Sequence, residues 1–171
     1  MGEDKPKVVA PLMVEPTKPR LIWDGSFGNK FYVKIKFSLD GAVKIPVVGW
    51  KGMFQFSIDH NSGYQHVPFH PSSWTYFGFK WKGKYYVYTV LPFGWSLAPY
   101  IYSALTEAVA MHMRSIILCP TITWIDDIFG GTQNKYKGAS PLIQWQSANR
   151  VVYVYCMVLF QAGYFINLEK S

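Results

Sequence analysis

The chain has little with which to staple itself or to ligate a soft metal: two cysteines, Cys119 and Cys156, in 171 residues. Both stand in apolar surroundings at no metal-ligand spacing. That excludes a disulfide-framed scaffold and a cysteine zinc site, and it predicts buried free thiols in a reducing, intracellular setting, cytoplasmic or nuclear. Acidic side chains are also scarce, 10 against 17 Lys and Arg, for a formal charge of +7. An acidic, solvating chain is thereby excluded, and each carboxylate merits individual inspection. Long hydrophobic runs are missing. The longest, Val151 to Phe160, is too short to cross a bilayer and predicts a core helix, so no membrane partner is expected. The start, Met1-Gly2-Glu3-Asp4-Lys5-Pro6, has no signal-peptide apolar run and no Ser or Thr of a myristoylation signal. No internal repeat is visible.

Against these absences stand an apolar half and an aromatic content of 18%, enough for one domain with a real core. The rings suit a packed interior first, and stacking on bases or sugars second. The basic balance suits a polyanion such as nucleic acid, although many ordinary proteins carry as much charge.

Residues 1–19 hold four prolines and several charges without periodicity, which predicts an extended lead-in, with folding beginning near Arg20. Leu21 to Trp23 and Phe31 to Phe37 read as strands, the second with Lys34 and Lys36 alternating against Val33, Ile35 and Phe37. Met53 to Ile58 is a strand running into Asp59. Phe77 to Lys82 and Lys84 to Thr89 form a projecting basic hairpin around Lys82-Gly83. From Tyr100 to Ile117 the apolar spacing is helical, and so is that from Pro141 to Ala162, with Pro at the start and Gly163 as stop. Between them, Thr132 to Ser140 is a polar loop. The order predicts an α+β layer: an antiparallel sheet with helices on one face, ending in a short terminal strand.

Trp124-Ile125-Asp126-Asp127 lies between the apolar runs Thr121 to Ile125 and Ile128 to Phe129, with Gly130-Gly131 behind. This is a tight hairpin carrying two adjacent carboxylates. Paired acids on a rigid hairpin suit a hard divalent cation, whose oxygen ligands offset the desolvation cost. A solvated Asp-Asp turn fits the hairpin equally well. If Asp59 ends a neighbouring strand, three carboxylates converge, as two ions roughly 3.5–4 Å apart require.

Four blocks in this order resemble the reverse transcriptases of retroelements, over nearly everything from Arg20 to Ser171. They are Phe54-Gln55-Phe56-Ser57-Ile58-Asp59 with Tyr64 five residues on, Leu91-Pro92-Phe93-Gly94-Trp95-Ser96-Leu97-Ala98-Pro99, Trp124-Ile125-Asp126-Asp127, and Gly163 to Lys170. Asp59 and Asp126 lie 67 residues apart. The phrasing is similar to long-terminal-repeat, tyrosine-recombinase and pararetroviral types alike. The resemblance implies a right-hand polymerase, with fingers from about 20–45 and 69–96 and palm from about 46–68 and 97–171. The thumb, the primer grip and RNase H are absent, so a fragment or remnant is expected.

The resemblance also implies roles. Asp59 and Asp126 bridge two Mg²⁺ ions, with Mn²⁺ as a possible replacement, Asp127 lies alongside, and the His60 carbonyl adds an oxygen. Lys170 protonates the pyrophosphate leaving group. Arg20 pairs with the triphosphate of a deoxynucleotide, Tyr64 excludes a ribose 2′-hydroxyl, and Phe93 and Gly94 bring backbone close to the nucleotide. Trp124 takes the place of the family's usual tyrosine at the primer end. Asp24 and Asn29 match positions in the same fingers strand, but Ser26 stands where many relatives have a second Arg. Lys34, Lys36, Lys82 and Lys84 fit phosphate contacts to an RNA or DNA template, and a solvated lysine face fits them as well. His66, His70 and His112 read as structural. The expected activity is RNA-directed DNA synthesis on a primed template. A catalytically inactive nucleic-acid-binding remnant is the alternative, and RNA-directed RNA synthesis is a third reading that Tyr64 opposes. Oligomeric state is not legible.

Overall fold

The computed structural model describes residues 5–117, 119–133 and 138–171. The chain divides into two compact units, Met1–Lys36 with Tyr64–Ile101 and Phe37–Gly63 with Tyr102–Ser171.

The first unit contains β1 (Leu12–Val14) and β2 (Leu21–Trp23), paired antiparallel so that Leu12 faces Trp23. Residues 8–14, within the expected extended lead-in, are extended and hydrogen-bonded into the first unit: the Val8 N–H donates to the Thr75 carbonyl and the Ala10 N–H to that of Gly78. Proline-rich sequence disfavours a helix, yet it leaves enough backbone donors for edge pairing. The predicted strand over 31–37 does not form among the described residues. Its apolar positions Val33, Ile35 and Phe37 stay exposed, because alternation yields a strand only where a second strand or a core receives the apolar face.

Aromatic residues build this unit's interior. Trp23 is fully buried, its indole N–H donates to the Gly78 carbonyl at 3.0 Å, and its ring packs on Phe77 at 5.4 Å. Phe69 stacks on Phe77 at 4.3 Å, and Trp95 meets Phe77 edge-on at 5.0 Å. Such offset and edge-to-face pairs add to the burial energy.

The second unit begins with a short helix, α1 (Ile45–Val48), followed by β3 (Met53–Asp59). In the first unit the hairpin of β4 (Gly78–Trp81) and β5 (Lys84–Val87) forms as predicted around Lys82-Gly83. The long helix α2 (Ala98–Ile117) leads into β6 (Thr121–Trp124) and β7 (Asp127–Gln133), and α3 (Pro141–Gln161) follows.

The second unit's sheet is antiparallel, with order β3-β7-β6. Side chains alternate between its faces. One face carries Phe56, Ile58, Ile128, Thr121 and Thr123, and meets both long helices: Phe56 packs on Tyr155 of α3 at 6.0 Å, and Thr123 donates to Glu107 of α2 at 2.9 Å. Both long helices therefore lie on one face, as expected, while the short α1 meets the other, where its Val48 carbonyl closes on Gly131. Strand β7 runs further than expected, through Gly130-Gly131 and into the segment predicted as loop. The glycines are there for close approach: a Cβ on Gly130 would meet the Phe56 ring at 2.5 Å, and one on Gly131 would meet the Val48 carbonyl at 2.2 Å. The rest of the predicted loop lies partly outside the described residues. The expected terminal strand is reduced to a single bridge between Ile166 and His60.

Cys119 is buried, and burial pushes its thiol up to about 11, whereas Cys156 is only half-buried. Among the described residues no helix is long and apolar enough to cross a membrane.

Candidate active site

Seven successive register pairs zip β3 to β7, and the last of them is Asp59 opposite Asp127. Both belong to the sheet face turned away from α2 and α3, by the same alternation that sends Ile58 and Ile128 into the core. Trp124 pairs with Asp127 on the other side and is 48% exposed. One row across three strands thus carries Asp59, Asp127 and Trp124, with Asp127 in the middle.

Between β6 and β7 the chain turns through Ile125 and Asp126. Ile125 has φ +55°, a left-handed conformation that costs a β-branched residue of the order of 1–3 kcal/mol. The Asp126 carbonyl accepts from the His60 N–H at 2.9 Å, so the turn is fastened to the chain just beyond Asp59. The His60 side chain is 2% exposed. Its Nδ1 is 2.6 Å from the Tyr102 hydroxyl, and its ring lies 4.7 Å from that of Tyr164.

Residues 164–171 fold back along Asp59 to Asn61. The Asn167 N–H donates to the Asp59 carbonyl at 2.8 Å, and the Asp59 N–H donates to the Ser171 hydroxyl at 3.1 Å. This brings the Lys170 ammonium to 3.8 Å from the Asp59 carboxylate while the lysine side chain stays largely exposed.

The electrostatics record the crowding of acids. Partial burial holds the Asp127 carboxyl above the ordinary carboxylate range, the charges of Asp126 and Asp59 raise it further, a hydrogen bond shared with Asp59 does the same, and Lys170 pulls the other way. Asp126 lies on the turn and Asp127 begins the strand, close enough for the charge of one to act on the other. Among the described residues no three of His, Cys, Asp or Glu form a ready-made metal cage. The donor set nevertheless suits a hard divalent cation, because carboxylates that repel one another gain most from a shared positive charge.

In the first unit Arg20, Phe93 and Tyr64 form a stack: the guanidinium lies 5.2 Å over the Phe93 ring, whose other contact is the Tyr64 ring at 4.8 Å. Tyr64 is buried and Arg20 exposed. Phe93 is fixed by backbone, since its carbonyl accepts from the Trp23 N–H at 2.9 Å. Gly94 has φ +99°, and a Cβ there would sit 2.0 Å from the Trp23 carbonyl oxygen, so no side chain fits. Asn29 clasps the same turn, donating to the Gly94 carbonyl at 2.9 Å and accepting from the Ser96 N–H at 3.0 Å. Ser26 hydrogen-bonds Asp24 through its hydroxyl and its backbone, which holds the Asp24 carboxyl below its usual range.

Sequence reasoning overlooked Glu107, Arg114 and Thr123. Arg114 pairs with Glu107 and donates to the Thr121 carbonyl at 2.8 Å, while the second Glu107 oxygen accepts from Thr123. The available signal was an acid and a base seven residues apart on one helix, a spacing of two turns.

Comparison with solved structures gives the same fold. A foamy viral protease–reverse transcriptase in complex with double-stranded DNA matches with TM-score 0.72 at 21% identity, over 94% of this chain and 26% of that one. Another such complex matches at 0.71 and 23%, over 96% and 32%, and one with an RNA/DNA hybrid at 0.71 and 22%, over 99% and 21%. The chain therefore spans about a fifth to a third of the length of these relatives. A family model described as reverse transcriptase (RNA-dependent DNA polymerase) matches residues 29–171, and the chain belongs to that family.

Proposed function

We propose that the chain is the fingers and palm of an RNA-directed DNA polymerase that adds deoxynucleotides to a primer 3′-hydroxyl on an RNA or DNA template. The observation that carries this reading is the Asp59–Asp127 register pair on the sheet face turned away from α2 and α3, with Asp126 on the adjoining turn. Asp59, Asp126 and Asp127, with the His60 carbonyl, are the groups to hold Mg²⁺, or Mn²⁺ in its place. Bound metal would supply Lewis acidity at the reacting phosphate and activation of the attacking hydroxyl.

The protein's own groups do the remaining work. Lys170, held near Asp59, donates a proton to the departing pyrophosphate. Arg20, with its planar fork supported by Phe93, takes triphosphate oxygens. Tyr64 fills the space a ribose 2′-hydroxyl would need, and Gly94, closed on its Cβ side by the Trp23 carbonyl, fixes the turn that presents Phe93 to the nucleotide. Trp124, exposed beside Asp127, offers a flat apolar face to the primer end. The charge distribution supports a nucleic-acid partner: the first unit has ten Lys and Arg against four acids, the second seven against six.

Primer extension on RNA and DNA templates tests the proposal, with Asp126→Asn as control. Metal-dependent incorporation lost in the variant is expected, and incorporation that survives the change refutes the assignment. A second reading, template binding without synthesis, draws on the basic balance of the first unit alone. Salt-dependent binding of template-primer with no incorporation would favour it.

A further inference from the structure

We propose that helix α2 is the gauge that sets the spacing of the carboxylates, through two polar grips, one beside Asp59 and one on the strand that leads into Asp126. Its Tyr102 and Glu107 act as positioning residues, and Arg114 completes the second grip. The inference rests on the metal-binding role proposed above for Asp59, Asp126 and Asp127.

The first grip is the Tyr102 hydroxyl on His60 Nδ1 at 2.6 Å, inside the core. His60 directly follows Asp59 and donates its backbone N–H to the Asp126 carbonyl. Moving the imidazole therefore moves both the end of β3 and the turn. The second grip is on β6. Glu107 bridges Arg114 and the Thr123 hydroxyl, and Arg114 reaches on to the Thr121 carbonyl. Thr123 is 6% exposed and lies three residues before Asp126.

β6 is an edge strand of four residues with one neighbour, β7. It runs into a turn whose Ile125 is held in the left-handed region. An edge strand that ends in a strained turn would relax without an external hold, and the Glu107 carboxylate is that hold. Both grips are rooted in one rigid body: Tyr102, Thr106, Ala110 and Met113 form a wholly buried stripe along α2, and the Thr106 hydroxyl donates to the Tyr102 carbonyl at 3.1 Å. Groups behind metal ligands typically change metal affinity by about 10–100-fold when removed.

The test is Mn²⁺ binding to the full chain, followed by electron paramagnetic resonance of free Mn²⁺, beside thermal melting of the same samples. Thr123→Val and Tyr102→Phe are expected to weaken Mn²⁺ binding about tenfold each, and Thr123→Ser to restore it. Leu159→Val, a fully buried α3 residue outside both grips, serves as a core variant expected to lower the melting temperature without moving Mn²⁺ affinity. If Thr123→Val and Tyr102→Phe lower the melting temperature as Leu159→Val does and leave Mn²⁺ affinity unchanged, the grips merely hold the fold and the proposal is overturned. Asp127→Asn separates the two levels of inference. If it too leaves Mn²⁺ binding intact, the metal-site reading fails; if it abolishes binding while the grip variants do nothing, only the gauge fails.

Discussion

Asp59 and Asp127 are direct partners across β3 and β7, one residue on from the buried pair Ile58 and Ile128. A fully apolar register pair thus adjoins a fully acidic one, and the sheet's alternation separates them onto opposite faces. The apolar pair anchors the acidic pair, which the fold by itself does not favour.

That tension has a measurable sign. Asp127 is held above its ordinary value of 3.8, so ionising it costs the folded state more than the unfolded chain. The cost is absent below the ordinary value, appears as pH climbs through the raised one, and is complete at neutral pH. Asp127→Asn is therefore expected to melt higher than wild type at pH 7 in chelator, with the gap closing toward pH 3. A gap that stays constant with pH would contradict the crowding. Saturating Mg²⁺ should narrow the gap at pH 7 by stabilising wild type alone.

Lys170 is expected to matter for chemistry and little for stability. Its ion pair with Asp59 is long and exposed, and such pairs contribute about 0–1 kcal/mol. Lys170→Met should leave the urea midpoint nearly unchanged while single-turnover incorporation slows about 100-fold or more. Equal turnover in the two proteins would remove the lysine from the mechanism.

Gly131 provides a purely structural check. Its missing Cβ leaves room for the Val48 carbonyl at a distance no real contact tolerates, and the obstacle is backbone. Gly131→Ala should cost about 1–3 kcal/mol in urea unfolding. A neutral result would show that α1 does not press on β7.

Tyr64 is expected to act on sugar choice. Tyr64→Ala should raise ribonucleotide relative to deoxynucleotide incorporation in a competition assay, because the ring no longer fills the space of the 2′-hydroxyl. An unchanged ratio would return Tyr64 to the role its burial against Phe93 already shows, that of a core ring.

Much of this was legible because period and punctuation agreed. β3 announces itself through Phe54, Phe56 and Ile58, the β4–β5 hairpin through Lys82-Gly83, and α3 through Pro141 and Gly163. The errors arose where local pattern lacked a partner or concealed one. Val33, Ile35 and Phe37 alternate like a strand yet remain exposed, whereas the proline-flanked Leu12 to Val14 found β2. Gly130-Gly131 looked like the end of a strand and is its middle, since tight packing on two faces leaves no trace in a linear pattern. The same holds for the hold of Glu107 on Thr123: candidate site residues could be proposed from sequence, but what braces them depends on which helix covers which strand.

The central claim, that Asp59 and Asp127 with the adjoining Asp126 form one cation site, is most directly tested by anomalous diffraction from crystals of this chain grown with Mn²⁺. A peak at coordination distance from oxygens of both register partners is expected. A well-ordered structure with Mn²⁺ bound elsewhere and none touching that pair would contradict it.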